Sequence, residues 1–212
     1  IKDQALTKEN STTFLGVRLD SKLSWSLHIQ HIKLKMAKNI GVLCKARKVF
    51  KLSTLITMYY SFIYPYISYC VEVWGTAAQK YTDSILKLQK LCCRIITGSS
   101  RRTRSSPLFK TLNIMPLTKV YEYCVLLFMY KNHKDLLPKP LLGMFSKNTD
   151  VSNIPTRQAN LLYIPRCKSQ LAAKSMKYKG VKLWNEIINS INPSLSYYVF
   201  KTSMKIHLMD QV

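Results

Sequence analysis

The chain is short of acid: 10 Asp+Glu stand against 33 Lys+Arg, a formal net charge of +23 over 212 residues. Few carboxylates interleave with the cations, so the surface cannot neutralise itself, and a polyanionic partner follows, nucleic acid before a membrane surface. No run approaches the roughly 20 apolar residues that span a bilayer. The most apolar stretch, Ile56 to Trp74, is interrupted by Ser, Thr, five tyrosines and a proline, which suits a buried helix pair. No signal or lipidation motif is present, so no membrane is expected. Glycines number six and form neither Gly-x-Gly nor Gly-x-x-x-x-Gly-Lys, which removes nucleotide-cradling loops. The absence of Gly-x-Ser-x-Gly removes the common hydrolase elbow.

Metal chemistry is equally poorly supplied. The six cysteines, Cys44, Cys70, Cys92, Cys93, Cys124 and Cys167, have no ligand spacing and mostly occupy apolar helix positions, so reduced, buried thiols in an intracellular protein are expected, nucleus or cytoplasm left open. His28 and His31 lie three apart and could share zinc only if further ligands converged; no Glu lies between them and no cysteine pair accompanies them. No Asp-Asp pair occurs, so carboxylates able to hold two Mg²⁺ ions are not offered by sequence proximity.

What is there is a core and a pattern. At 47% hydrophobic the chain has ample material to fold. Thr12 to Leu19 reads as a short strand with a glycine inside, followed by a turn at Asp20-Ser21-Lys22. From Trp25 the apolar residues fall at Trp25, Ile29, Ile32, Met36, Ile40 and Leu43, a helical stripe whose other face is basic. Further helices are expected after Ser53, from Tyr66 to Val73, after Thr82 or Asp83 up to Gly98, from Pro107 to Leu112, from Leu117 to Met129, and from Phe200 to Leu208. Between Pro138 and Cys167 prolines accumulate and the chain becomes loop-rich, with a small β element expected near residues 156–170. The fold class is therefore mainly α.

Phe14-Leu15-Gly16-Val17, then Leu19-Asp20, Leu23-Ser24-Trp25 and His28-Ile29, resembles the region after the polymerase palm in jockey-like non-LTR retrotransposon reverse transcriptases. The run from Tyr60 through Pro65, Tyr69, Cys70, Trp74 and Gly75 is similar to the family's too, as are Leu88-Gln89-Lys90, Arg94-Ile95-Ile96 and the element Tyr178, Gly180, Leu183, Trp184, Asn185. Where the family continues Leu-Pro, this chain has Ile187-Ile188. The resemblance implies a fragment of an RNA-directed DNA polymerase: residues 1–22 as the end of the palm with a primer-grip turn at Phe14, Leu15 and Gly16, residues 23–137 as a helical thumb, and residues 138–212 as a loop-rich connection and C-terminal helical region. It implies an RNA-DNA hybrid or duplex as partner, together with the palm and fingers of the parent enzyme. The chain itself is expected to need no cofactor and to be inactive alone, Mg²⁺ belonging to the palm.

The residues expected to meet phosphates are Lys33, Lys35, Lys38, Lys45, Arg47 and Lys48 on the basic helix, and Arg101, Arg102 and Arg104 in a polar loop, because cations without neighbouring acids can neutralise a nucleic-acid backbone. Catalytic and metal-binding residues are not expected. The rival reading is a domesticated or decayed remnant whose helices bind protein.

Overall fold

The N-terminal strand is two strands. In a computed structural model that describes residues 9–151, 158–188, 191 and 194–212, β1 (Ser11–Phe14) pairs antiparallel with β2 (Val17–Asp20), Phe14 opposite Val17 and Ser11 opposite Asp20. Leu15 and Gly16 form the two-residue turn with φ of 46° and 78°, the double positive φ that a tight right-twisting hairpin demands and that glycine meets without steric cost. The single-strand expectation for Thr12 to Leu19 is corrected accordingly.

The turn that follows is built on Asp20. Its carboxylate accepts the N–H groups of Lys22, Ser24 and Trp25 at 3.2, 3.0 and 2.9 Å, and the Ser24 hydroxyl at 3.1 Å. Helix α1 (Ser26–Ala46) then runs with Ile29, Ile32, Met36, Ile40 and Leu43 buried, the stripe expected from the sequence. Helix α2 (Leu52–Phe62) buries Leu55 and Tyr59 and leaves Phe62 exposed; Lys51, not Ser53, stands at its N-cap.

The expected helix from Tyr66 to Val73 is two short ones, α3 (Tyr64–Ser68) and α4 (Val71–Trp74). They are separated by an extended Tyr69 and a left-handed Cys70, φ 51°. The Trp74 indole N–H donates to the Tyr69 carbonyl at 2.8 Å, so a side chain takes an acceptor that a continuous helix would have used internally. Helix α5 (Gln79–Thr97) starts before Thr82, buries Ile85, Gln89, Cys92, Cys93 and Ile96, and is ended by Gly98 at φ 72°. Leu88 and Ile95, at helical spacing from Ile85 and Cys92, are half-buried. Helix α6 (Ser105–Thr111) follows.

The chain divides into two compact units, residues 1–118 and 119–212. In the first, α1 packs on α5, α2 packs on both, and β2 and α3 lie against α1. Gln89 is the polar centre of this core. Fully buried, it donates to the Tyr59 hydroxyl and the Met115 carbonyl and accepts the Leu117 N–H, each at 2.8 Å.

The second unit begins within α7 (Leu117–His133) and contains α8 (Asn148–Val151), α9 (Gln170–Ala173), a π turn over Met176–Gly180, α10 (Val181–Ile187) and α11 (Tyr197–Asp210). Its core stacks Tyr130 on Phe200, ring centroids 4.4 Å apart, with Trp184 buried beside them. Gly180 is buried where a Cβ would press on the sulfurs of Met176 and Met129.

No strand forms among the described residues of the expected β element near 156–170; Thr156 and Arg157 lie outside them. Leu162 instead makes one antiparallel bridge to Lys147. The Asn185 side chain then takes both polar groups of Leu162, accepting its N–H at 3.1 Å and donating to its carbonyl at 2.8 Å. A side-chain amide satisfies the backbone where a second strand would otherwise have been needed.

Candidate nucleic-acid interface

The sequence between Asp20 and Glu72 contains no carboxylate, and among the described residues of the first unit there is no ion pair. Its cations are therefore held by solvent, dipoles and backbone carbonyls. At about 100° per helical residue, Lys35, Lys38 and Lys45 project from one side of α1, opposite the buried stripe, and all three are exposed. Lys33 is half-buried on the other flank. Arg47 and Lys48 stand beyond the helix end, in the turn leading to α2. The expected basic face is thus one row of three lysines, a flanking lysine and a separate pair. It is interrupted by exposed Leu34 and Val42.

The separate pair leads to a second grouping of positive charge. An open cleft of about 350 Å³ is lined by Cys44, Arg47, Arg94, Ile95, Gly98 and Arg101, among others, and by no acid. Three elements supply its arginines: the end of α1, the last turn of α5, and the loop after α5. The Arg94 Nε–H donates to the Thr103 carbonyl at 3.0 Å, which pins the arginine loop to the helix. The Ser99 N–H returns to the Arg94 carbonyl at 3.0 Å, closing the helix end. Arg47 lies so close to Gly98 that a Cβ there would overlap its guanidinium. The negative end of the α5 dipole attracts these cations, but it offsets only a fraction of three full charges.

Arg47 and Arg101 belong to the candidate set, and the fold brings them together. Arg94 is the residue that sequence reasoning misses. Its signal is its place in the row Lys87, Lys90, Arg94 on α5, one turn before the glycine that ends the helix. Arg102 and Arg104 are exposed on the same loop but do not line the cleft.

Phe14 and Leu15, with 64% and 73% of their surface accessible, form an apolar hairpin tip facing solvent. The Tyr69 hydroxyl donates to the Leu15 carbonyl at 2.7 Å, and Gly16 lies against the Tyr69 ring. Of the five tyrosines between Ile56 and Trp74, Tyr59 is core. Tyr60 donates to the Asn113 carbonyl at 3.0 Å, and Tyr69 is exposed.

Thiol chemistry has little scope at the core, since burial pushes Cys93 up to about 12 and Cys92 higher still. Among the described residues no group of three or more His, Cys, Asp or Glu side chains is placed to hold a metal ion. No described helix is long and apolar enough to cross a membrane.

A mainly helical chain with a hairpin at its start and unneutralised cations on its surface finds relatives among polymerases. It is distantly and partially similar to the RNA-directed DNA polymerases of non-LTR retrotransposons. The probable RNA-directed DNA polymerase from transposon X-element of Drosophila melanogaster is 26% identical over 117 residues, which are 54% of this chain and 13% of that protein. The RNA-directed DNA polymerase from mobile element jockey of the same organism is 30% identical over 108 residues, 49% of this chain and 12% of that protein. The matched stretch thus spans about an eighth of each of these relatives. No family model and no solved structure matches the chain.

Proposed function

We propose that this chain is the post-palm, thumb-like part of a reverse transcriptase, and that it grips primer and template by their phosphates without carrying the catalytic carboxylates. The observation behind this reading is the cleft lined by Arg47, Arg94 and Arg101, with no acid among the lining residues. Arginine presents planar forks that suit phosphate oxygens. Interactions of this kind carry no sequence information, as an enzyme that copies any template requires. The row Lys35, Lys38, Lys45 extends the positive surface along α1, and the exposed tip Phe14-Leu15-Gly16 is the part offered to the primer end. Nucleotide addition with Mg²⁺ then belongs to the palm of a longer protein, where paired carboxylates would hold the metal.

The test is a salt titration of binding to an RNA-DNA hybrid and to unrelated DNA duplexes. Replacing Arg47, Arg94 and Arg101 together by Gln should weaken binding to all duplexes alike. For duplex DNA the log-log salt slope should flatten by up to about 0.9 for each phosphate no longer neutralised. Unchanged affinity and slope in a folded triple variant would sink the reading.

A second reading, a helical module that binds protein, is favoured by one feature. Val49, Phe50 and Leu52, at the junction of α1 and α2, are 80%, 51% and 50% exposed. Such a run of apolar side chains suits a protein surface better than a phosphate backbone. Absence of duplex binding by the whole chain would favour this alternative.

A further inference from the structure

The corner between α1 and α2 is held by its own backbone. The Lys48 N–H returns to the Lys45 carbonyl at 3.2 Å, and the Val49 and Phe50 N–H groups both return to the Ala46 carbonyl, at 3.0 and 2.9 Å. On the far side the Leu55 N–H donates to the Lys51 carbonyl at 3.2 Å, where α2 begins. The chain thus reverses over a few residues bonded on both sides, and yet it leaves Val49, Phe50 and Leu52 exposed together. Adjacent large apolar side chains in water mark a surface that is covered in use.

The charges around the corner narrow down what covers it. Lys45, Arg47, Lys48 and Lys51 are all exposed, and the sequence supplies no carboxylate between Asp20 and Glu72. An apolar cluster bracketed by cations calls for a counterpart that is anionic outside and apolar within. A second copy of this chain, itself at +23, is repelled. A nucleic-acid duplex has the required make-up, phosphates outside and stacked base faces inside. Arg47 ties the corner to such a duplex, because its guanidinium reaches back to Gly98 in the arginine cleft. Its Cα and that of Phe50 are no more than about 11 Å apart, three virtual bonds of about 3.8 Å. Bases follow one another about every 3.4 Å along a strand. A phosphate held in the cleft therefore leaves the nearest few base-pair steps within reach of Phe50.

We infer that Phe50, with Val49 beside it, is a wedge that enters between two base pairs of the gripped duplex and kinks it, while the flanking cations meet its phosphates. Apolar wedges act in this way in proteins that bend DNA, the cost of unstacking a step being offset by the surface gained on the bent duplex. The inference rests on the phosphate-grip reading, which supplies the duplex. It adds that the duplex is bent and that steps which unstack easily are preferred, neither of which phosphate interactions alone require.

The deciding experiment uses the full chain and two short DNA duplexes of equal length and charge, one intact and one with a single central mismatch, each with a donor and an acceptor dye at its ends. The parent chain should bind the mismatched duplex about tenfold more tightly, because a mismatch lowers the cost of unstacking. End-to-end energy transfer should rise at saturation as the duplex kinks. A variant carrying Val49→Ser and Phe50→Ser keeps every cation. It should lose the mismatch preference, the ratio falling to about one, and lose the gain in transfer, while its log-log salt slope, which counts phosphates, stays that of the parent. Steep salt dependence in the parent with equal affinity for both duplexes and no gain in transfer overturns the wedge, leaves the grip standing and returns the corner to a protein partner. A mismatch preference that survives in the serine variant also overturns the wedge. Absence of salt-dependent binding to either duplex sinks the grip and the wedge together. Binding to phosphatidylserine vesicles that only the parent shows, without discrimination between duplexes, would assign the corner to a membrane surface and overturn the wedge.

Discussion

Tyr69 holds the hairpin: its hydroxyl donates to the Leu15 carbonyl at 2.7 Å across 54 residues of sequence. Tyr69 can do so because the chain is extended there, between α3 and α4, and the Trp74 indole N–H occupies its own carbonyl. A helix through this point would have aimed the ring elsewhere. Tyr69→Phe keeps the ring against Gly16 and removes only the bond. Exchange of the hairpin amides from Ser11 to Asp20 should accelerate a few fold while α1 and α5 amides stay protected; uniform acceleration, or none, would show that the bond does not anchor the tip.

Gln89 supports three partners at once. Gln89→Leu would fill the same space and strand the Leu117 N–H, the Met115 carbonyl and the Tyr59 hydroxyl in the core. At about 1 to 3 kcal/mol for a buried group left unsatisfied, and with some relaxation, a loss of about 2 to 5 kcal/mol is expected in urea denaturation. A change below about 1 kcal/mol would mean that water replaces the amide.

Gly98 couples fold to charge. With φ at 72° and the Arg47 guanidinium in the way of any Cβ, Gly98→Ala should cost about 1 to 2 kcal/mol in backbone strain. It should also displace Arg47 from the cleft. Duplex affinity should therefore fall in the folded variant, with the log-log salt slope for DNA flatter by up to about 0.9; a stability loss with binding unchanged would remove Arg47 from the interface.

Protonation sets the acid limit of the fold. His28, His31 and His133 all have pKa values lowered from 6.5, burial being the first cause in each. A lowered histidine pKa means that the unfolded chain binds more protons. The stabilisation is thus complete above about pH 6.5 and is lost as pH falls toward the folded values. Asp20 is also lowered: desolvation is the largest single influence and raises it, but the N–H and hydroxyl donors of Ser24, Trp25 and Lys22 together outweigh that, so its contribution fades only below 3.8. The melting temperature should drop as pH falls below about 6.5, and His28→Asn should flatten that drop. A flat profile in the parent chain would contradict a neutral, buried His28 ring.

The sequence by itself determined the helical class, the buried stripe of α1, the stop at Gly98 and the excess of positive charge. Each depends on near neighbours, the 3.6-residue repeat or simple counting, so each is written locally. Its alternating pattern did not determine that Phe14-Leu15-Gly16-Val17 doubles back as an exposed hairpin, because such a run reads the same whether it continues or turns; only the family resemblance placed a turn there. Nor did it reveal that the segment after Tyr66 breaks at Cys70, where the Trp74 indole competes with the helix for the Tyr69 carbonyl. Only the tertiary structure selected Arg47, Arg94 and Arg101 from 33 cations. It alone showed Gln89 as the core's polar hub and left His28 with one nitrogen bonded and the other bare. Those outcomes depend on which helix ends meet, and residues 47, 94 and 101 become neighbours only when α1 packs on α5 and the arginine loop is pinned beside it.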